Sequence, residues 1–249
     1  MSIAKVRAFL AVVTALAGIP AAASEQARVS VLGFSRDGSS FAFEQFGIAG
    51  PEGHPYSDLQ ILDSLSGLPV AGAPFRTTFA KRAPTPDVAR SVTYNAAQRT
   101  ITRLGIGELG TVLARGSGDY TDPSAVEVPI TIDTIGSGTL RIVNGHSGDK
   151  TCAKMKIDAK TLTVDVVDGA GVVLRRLVSE PKIPPERFCP MGYALVEVRV
   201  LPREGKPPVV ALLLARTGPS LNGINRSFQA HVIDLSAEPI ATEEKKGGH

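Results

Sequence analysis

The chain has 249 residues, with 27 Lys and Arg against 24 Asp and Glu, a formal net charge of +3 and 43% hydrophobic residues. Its basic residues are scattered, with only Lys81-Arg82, Arg175-Arg176 and Lys245-Lys246 adjacent, so the clustered basic face of a nucleic-acid binder is lacking and no nucleic-acid partner is expected. There is no tryptophan and aromatic residues are 5%, which leaves little material for the stacking platforms of a carbohydrate site.

Lys5 and Arg7 precede an uncharged apolar stretch over residues 8–19, Pro20 breaks it, and Ala21-Ala22-Ala23-Ser24 supplies the small residues that signal peptidase requires. The stretch is shorter than the roughly 20 apolar residues of a membrane span. Residues 1–23 therefore read as a secretory signal peptide, cut after Ala23 or after Ser24. Residues 24–240 read as one exported, mainly β domain, and the charged residues 241–249 as a disordered tail. Loss of Lys5 and Arg7 lowers the formal charge to +1. No later segment has the length of a membrane helix, since the longest apolar run is 209–215.

Strand residues from Val29 run into Phe34-Ser35, Asp37-Gly38 makes a turn, and Phe41-Ala42-Phe43 resumes the strand. A third strand, Leu59-Gln60-Ile61-Leu62-Asp63, ends at Ser64-Leu65-Ser66-Gly67. This rhythm resembles one blade of a β-propeller, but no second copy recurs at the roughly 40–45 residues of a blade repeat. Thr85 is placed to cap a helix, Pro86 suits its first position, Asp87 suits its first turn and Gly105 stops it. Val88, Val92, Ile101 and Leu104 fall near helical spacing, which predicts one helix over 86–104 covering a sheet face.

Further on, Val126, Val128, Ile130 and Ile132 alternate with polar residues, and Pro129 marks that strand as an edge. Leu162, Val164 and Val166 alternate likewise, then turn at Asp168-Gly169-Ala170-Gly171 into a returning strand. Val196, Val198 and Val200 form another, connected through Gly205-Lys206-Pro207-Pro208 to 209–214, which has no polar face and reads as buried on both sides. Phe228, Ala230 and Val232 end the series. The expected architecture is a set of antiparallel sheets with one packed helix, as a two-sheet sandwich or an irregular, truncated propeller-like form. Cys152 and Cys189 are the only cysteines, and in an oxidising compartment they are expected to pair.

Gly33-Phe34-Ser35-Arg36-Asp37-Gly38, then Phe41-Ala42-Phe43-Glu44, then Pro55-Tyr56-Ser57-Asp58 ahead of Ile61-Leu62-Asp63, carry a likeness to a known family. With the later helix and the stretch 105–110, the chain resembles a family of predicted secreted bacterial proteins, domain of unknown function 2259. The resemblance implies export to a bacterial envelope and a single domain. It brings no activity, ligand or catalytic residues.

The densest polar constellation is Glu44, His54, Tyr56 and Asp58, flanking the loop at 47–55 between two strands. Carboxylates and an imidazole that converge can bind a metal or do acid–base work, but spacing alone does not make them converge. Without convergence, Tyr56 and Asp58 anchor the loop and His54 is exposed. His146, just before Cys152, reads as part of a solvated turn, and His231 as a sheet residue. Neither a G-x-S-x-G elbow, a Walker A loop, an EF-hand, CxxC nor HExxH is present, so no catalytic residue, metal or cofactor is expected. The expected function is a non-enzymatic secreted or periplasmic protein that binds an envelope partner. The alternatives are a hydrolase or metal-dependent enzyme using Glu44, His54 and Asp58, and a small-molecule-binding β domain.

Overall fold

A computed structural model describes residues 27–50, 52–80, 84–118, 125–220 and 223–240. The signal peptide read at 1–23 and the tail read at 241–249 lie outside the described residues. In chain order the elements are β1 (Arg28–Ser35), β2 (Ser40–Ala49), β3 (His54–Asp63), β4 (Phe75–Thr78), α1 (Pro86–Leu104), β5 (Ile106–Glu108), β6 (Thr111–Arg115), β7 (Ala125–Ile132), β8 (Gly136–His146), α2 (Lys150–Lys154), β9 (Lys160–Val167), β10 (Val173–Glu180), β11 (Gly192–Arg203), β12 (Lys206–Ser220) and β13 (Gly223–Asp234). The strands form three antiparallel sheets, ordered β4-β3-β2-β1-β5, β10-β9-β8-β7 and β13-β12-β11-β6.

The expected mainly β architecture with one long helix is therefore what the chain adopts, with three sheets in place of two. The third follows from β12. Val210, Leu212 and Leu214 pack with Leu140, Ile142, Val164 and Val166 of the β7–β10 sheet. Val209, Ala211, Leu213 and Ala215 pack with Phe34, Phe41 and Phe43 of the β1–β5 sheet. An alternating strand covers one sheet face, whereas a continuous apolar run needs cover on both. Each leucine buried this way is worth roughly 1.5–3 kcal/mol. The first four strands do form a blade-like meander, but the sheets stack face to face about the central one.

Helix α1 covers the outer face of the β1–β5 sheet and runs over the expected residues. Its buried stripe is Ala89, Thr93, Ala97 and Ile101, while Val88 and Val92 are each 46% exposed. The stripe recurs every four residues, and three small side chains let the helix lie close on Ala42, Leu59 and Ile61. The apolar face read from Val88 and Val92 is thus rotated. Thr85 is extended at the N-cap but makes no side-chain cap, and Gly105 closes the helix in the left-handed region, its N–H donating to the Ile101 and Thr102 carbonyls.

β5, β6 and β7 follow one another in the chain, and each completes one edge of a different sheet. Pro129 lies on edge strand β7, as expected. The turn between β11 and β12 is at Glu204-Gly205, and the two prolines read as connection belong to β12. The Cys152–Cys189 disulfide is formed, with Cα atoms 5.6 Å apart, and ties the β8–β9 connection to the β10–β11 connection. Closing a loop of 37 residues is worth about 3–4 kcal/mol in the chain-entropy account.

The β1–β5 seam tolerates no side chain at Gly33. Its φ is +113°, and an added Cβ would lie 2.6 Å from the Glu108 carbonyl oxygen. Gly105, at φ +63°, faces open space. Gly33→Ala is expected to lower stability by about 2–4 kcal/mol and Gly105→Ala by about 1 kcal/mol, read by urea unfolding. Equal losses would show that the seam adapts.

Candidate functional site

The sequence constellation is divided by the alternation of its own strands. Glu44 lies on β2 opposite Leu59, and Gln45 lies opposite Asp58. Glu44 is on the helix side, where Ser57 Oγ donates to Oε1 at 2.8 Å and Arg90 Nε of α1 donates to Oε2 at 2.9 Å. The Arg90 guanidinium also lies 3.9 Å from the centroid of Phe46, which Arg28 approaches at 4.8 Å. Glu44 is buried, so this pairing is what makes its charge tolerable there.

Asp58 lies in register with Arg76 of β4, on the face toward the central sheet. Arg76 Nε is 3.2 Å from its Oδ1, Gln60 donates to Oδ1 at 2.8 Å and Gln45 to Oδ2 at 3.3 Å. Gln45 reaches further, its Oε1 accepting from the Phe228 N–H of β13 at 2.9 Å. Tyr56 shares this face with Asp58, packs beside the apolar layer between the sheets, and with Gln45, Arg76, Thr78 and Ser227 bounds a niche of about 170 Å³. His54 is at the far end of β3, its Nδ1 3.0 Å from the Phe79 carbonyl and its Nε2 3.0 Å from Glu52. Tyr56 and Asp58 are thus brought together, Glu44 is on the opposite face, and His54 closes the loop. Among the described residues no three metal-ligating side chains converge. His146 is exposed and paired with Asp158 at 2.7 Å, and Cys152 is held in the disulfide.

A larger cleft of about 360 Å³ opens where β10, β13 and the turn at 64–67 meet, so that all three sheets contribute to it. Arg175, Arg176, Glu180 and His231 line it, with Ser64 and Leu65 on one side and Ile240 at its lip. Two register shifts in β10 turn both Leu177 and Val178 inward and set Arg175 and Glu180 at the cleft. Behind it lies a half-buried polar cluster around the buried Tyr193. Glu180 pairs with Arg187, and the Tyr193 phenol stands in the field of Arg187 and of Arg216 of β12. Burial raises the Tyr193 phenol and lowers the Arg216 guanidinium from their ordinary values. Burial acts against the Arg187 cation, but Glu180 holds it and the net change is upward.

His231 joins cleft and cluster. Its side chain is 15% exposed, Gln229 meets its Nε2 at 2.9 Å, and burial assisted by Arg187 lowers its pKa to about 3. Glu180, 3.9 Å away, is already held by Arg187, so the imidazole stays neutral. Sequence reasoning missed this group. One signal was present: Arg216 keeps the parity of Leu212 and Leu214, which puts an arginine on a buried face.

Residues 42–232 match a family model described as "Predicted secreted protein (DUF2259)". No curated protein and no solved structure matches the chain.

A histidine that is neutral in the folded state and protonates near 6.5 when unfolded lets the unfolded chain bind the extra proton below that pH. Its contribution is complete above about pH 6.5 and is lost as pH falls toward 3. Between pH 7 and pH 5 the wild type should lose on the order of 2 kcal/mol through this group, and His231→Gln should lose correspondingly less, by denaturant unfolding at the two pH values. Parallel losses would show that His231 protonates in place.

Proposed function

The chain belongs to this family of predicted secreted proteins, and from that premise we propose that it is a non-enzymatic envelope protein, periplasmic after removal of residues 1–23, that binds a protein partner. The observation that carries the reading is the cleft shared by the three sheets. Its volume of about 360 Å³ is within the range of built ligand sites, and it joins buried apolar walls at Leu177, Val178 and Val232 to exposed Leu65 and Ile240 and to hydrogen-bonding groups. Partner segments are held by such apolar anchors in a polar setting.

Rigidity supports the same reading. The disulfide holds the connection ahead of β11, and Arg203 of β11 clasps Asp234 at the end of β13 through two contacts at 2.6 and 2.8 Å. A site whose walls are fixed before binding loses less entropy on binding. By contrast, Glu44, Asp58 and His54 each serve a local clasp, and Glu44 is across the sheet from the other two.

Periplasmic export is read from intact mass. The protein isolated from the envelope should begin at Ser24 or Glu25 and weigh two hydrogens less than its dithiol form. A chain that keeps its first 23 residues would refute the export reading. Binding is read by affinity capture from envelope extracts. The wild type should recover a protein partner that the Leu65→Asp, Ile240→Asp double variant loses at least ten-fold. Both residues are exposed, so the variant keeps the fold, and identical recovery from both proteins would place the partner elsewhere.

A further inference from the structure

We infer that the cleft between β10 and β13 recognises a carboxylate carried on an apolar group, the chemistry of a peptide C-terminus. This rests on the cleft being the binding site. The charges lining the cleft are mostly settled internally. Arg176 is held by Asp165 through contacts at 2.8 and 3.1 Å, Glu180 by Arg187, and Asp234 by Arg203 and Ser236. Glu238 stands exposed at the lip.

Arg175 differs from these. One Nη2–H donates to the Ala237 carbonyl at 2.7 Å, but among the described residues no carboxylate pairs with the guanidinium, and its Nε is buried without an acceptor. A second polar atom in the cleft wall is in the same condition. Ser64, 3% exposed, has a buried Oγ with no hydrogen-bond partner among the described residues. Both can donate, and one is cationic, so the missing group is an anionic oxygen acceptor. His231 beside them is neutral and adds no competing charge.

The remaining lining specifies what carries that acceptor. Leu177, Val178 and Val232 are buried apolar walls, and Leu65, 74% exposed, and Ile240 stand at the rim. A free phosphate would match the donors and leave the exposed Leu65 and Ile240 without a partner. An apolar residue with a terminal carboxylate matches both.

The test is an amide chemical-shift titration of the folded, disulfide-bonded protein with N-acetyl-leucine, and in parallel with N-acetyl-leucinamide, which has the same shape and no charge. N-acetyl-leucine should move resonances at 64–67, 175–180 and 231–234, with the amide at least ten-fold weaker. Arg175→Gln should lower the affinity for N-acetyl-leucine about ten-fold and leave the remaining spectrum in place. An equal response to both probes overturns the carboxylate assignment while leaving the cleft as a binding site. No response to either overturns it also, and the capture experiment with the Leu65 and Ile240 variant then decides separately whether the cleft binds at all.

Discussion

Strand β12 has no face to give to water, and most of the architecture follows from that. Seven consecutive apolar side chains at 209–215 must be covered on both sides, so the sheet that contains them becomes a middle layer. Two further sheets are then required, one offering Phe41 and Phe43 and the other offering Leu140 and Ile142. The outer face of the β1–β5 sheet is apolar in turn at Ala42, Leu59 and Ile61, and α1 covers it. Each layer is the solution to the exposed surface of the one before.

Stacking sheets buries backbone and side-chain polar groups that must find partners across the layers. Asn144 of β8 does this between the central sheet and the β7–β10 sheet, donating to the Tyr193 carbonyl at 3.1 Å and accepting from the Tyr193 N–H at 2.8 Å. Gln45 does it on the other side, joining Asp58 to the Phe228 amide. Such contacts are directional where apolar packing is not, so they fix how one layer is set on the next. Polar residues that attract attention in the sequence can therefore be the fasteners of the fold. Glu44 and Asp58 are of this kind. Arg175 Nε and Ser64 Oγ differ because, among the described residues, these two buried atoms meet no partner.

The strands, the helix over 86–104, the edge position of Pro129, the buried run at 209–214 and the disulfide were legible because each is written in local pattern or in compartment chemistry. The number of sheets was not. It depends on which faces of β13 and β3 are covered, and a polar-looking face such as Gln229-His231 carries no local sign that another sheet lies against it. The face of α1 was misread because valines outweigh alanines in hydropathy, whereas close packing on a sheet selects small side chains. Register also escaped. Glu44 and Asp58 are close in strand position, yet pairing Glu44 with Leu59 sends them to opposite faces. The cleft drew on residues 64, 175, 180 and 231, whose separation in sequence carries no mark of their meeting.

The order of the layers has a consequence for how the chain is made. Its middle sheet is built largely from β11, β12 and β13, the last strands of the sequence, while both covering sheets come before it. A chain that appears from its N-terminus first, at a ribosome or through a membrane, presents the two covers before the layer they cover. Until residues 192–234 arrive, Phe41 and Phe43 on one cover and Leu140 and Ile142 on the other have only each other or a stranger to meet. The nascent protein thus passes through a stage at which half-finished molecules are adhesive to one another, and a holding chaperone would act on that stage.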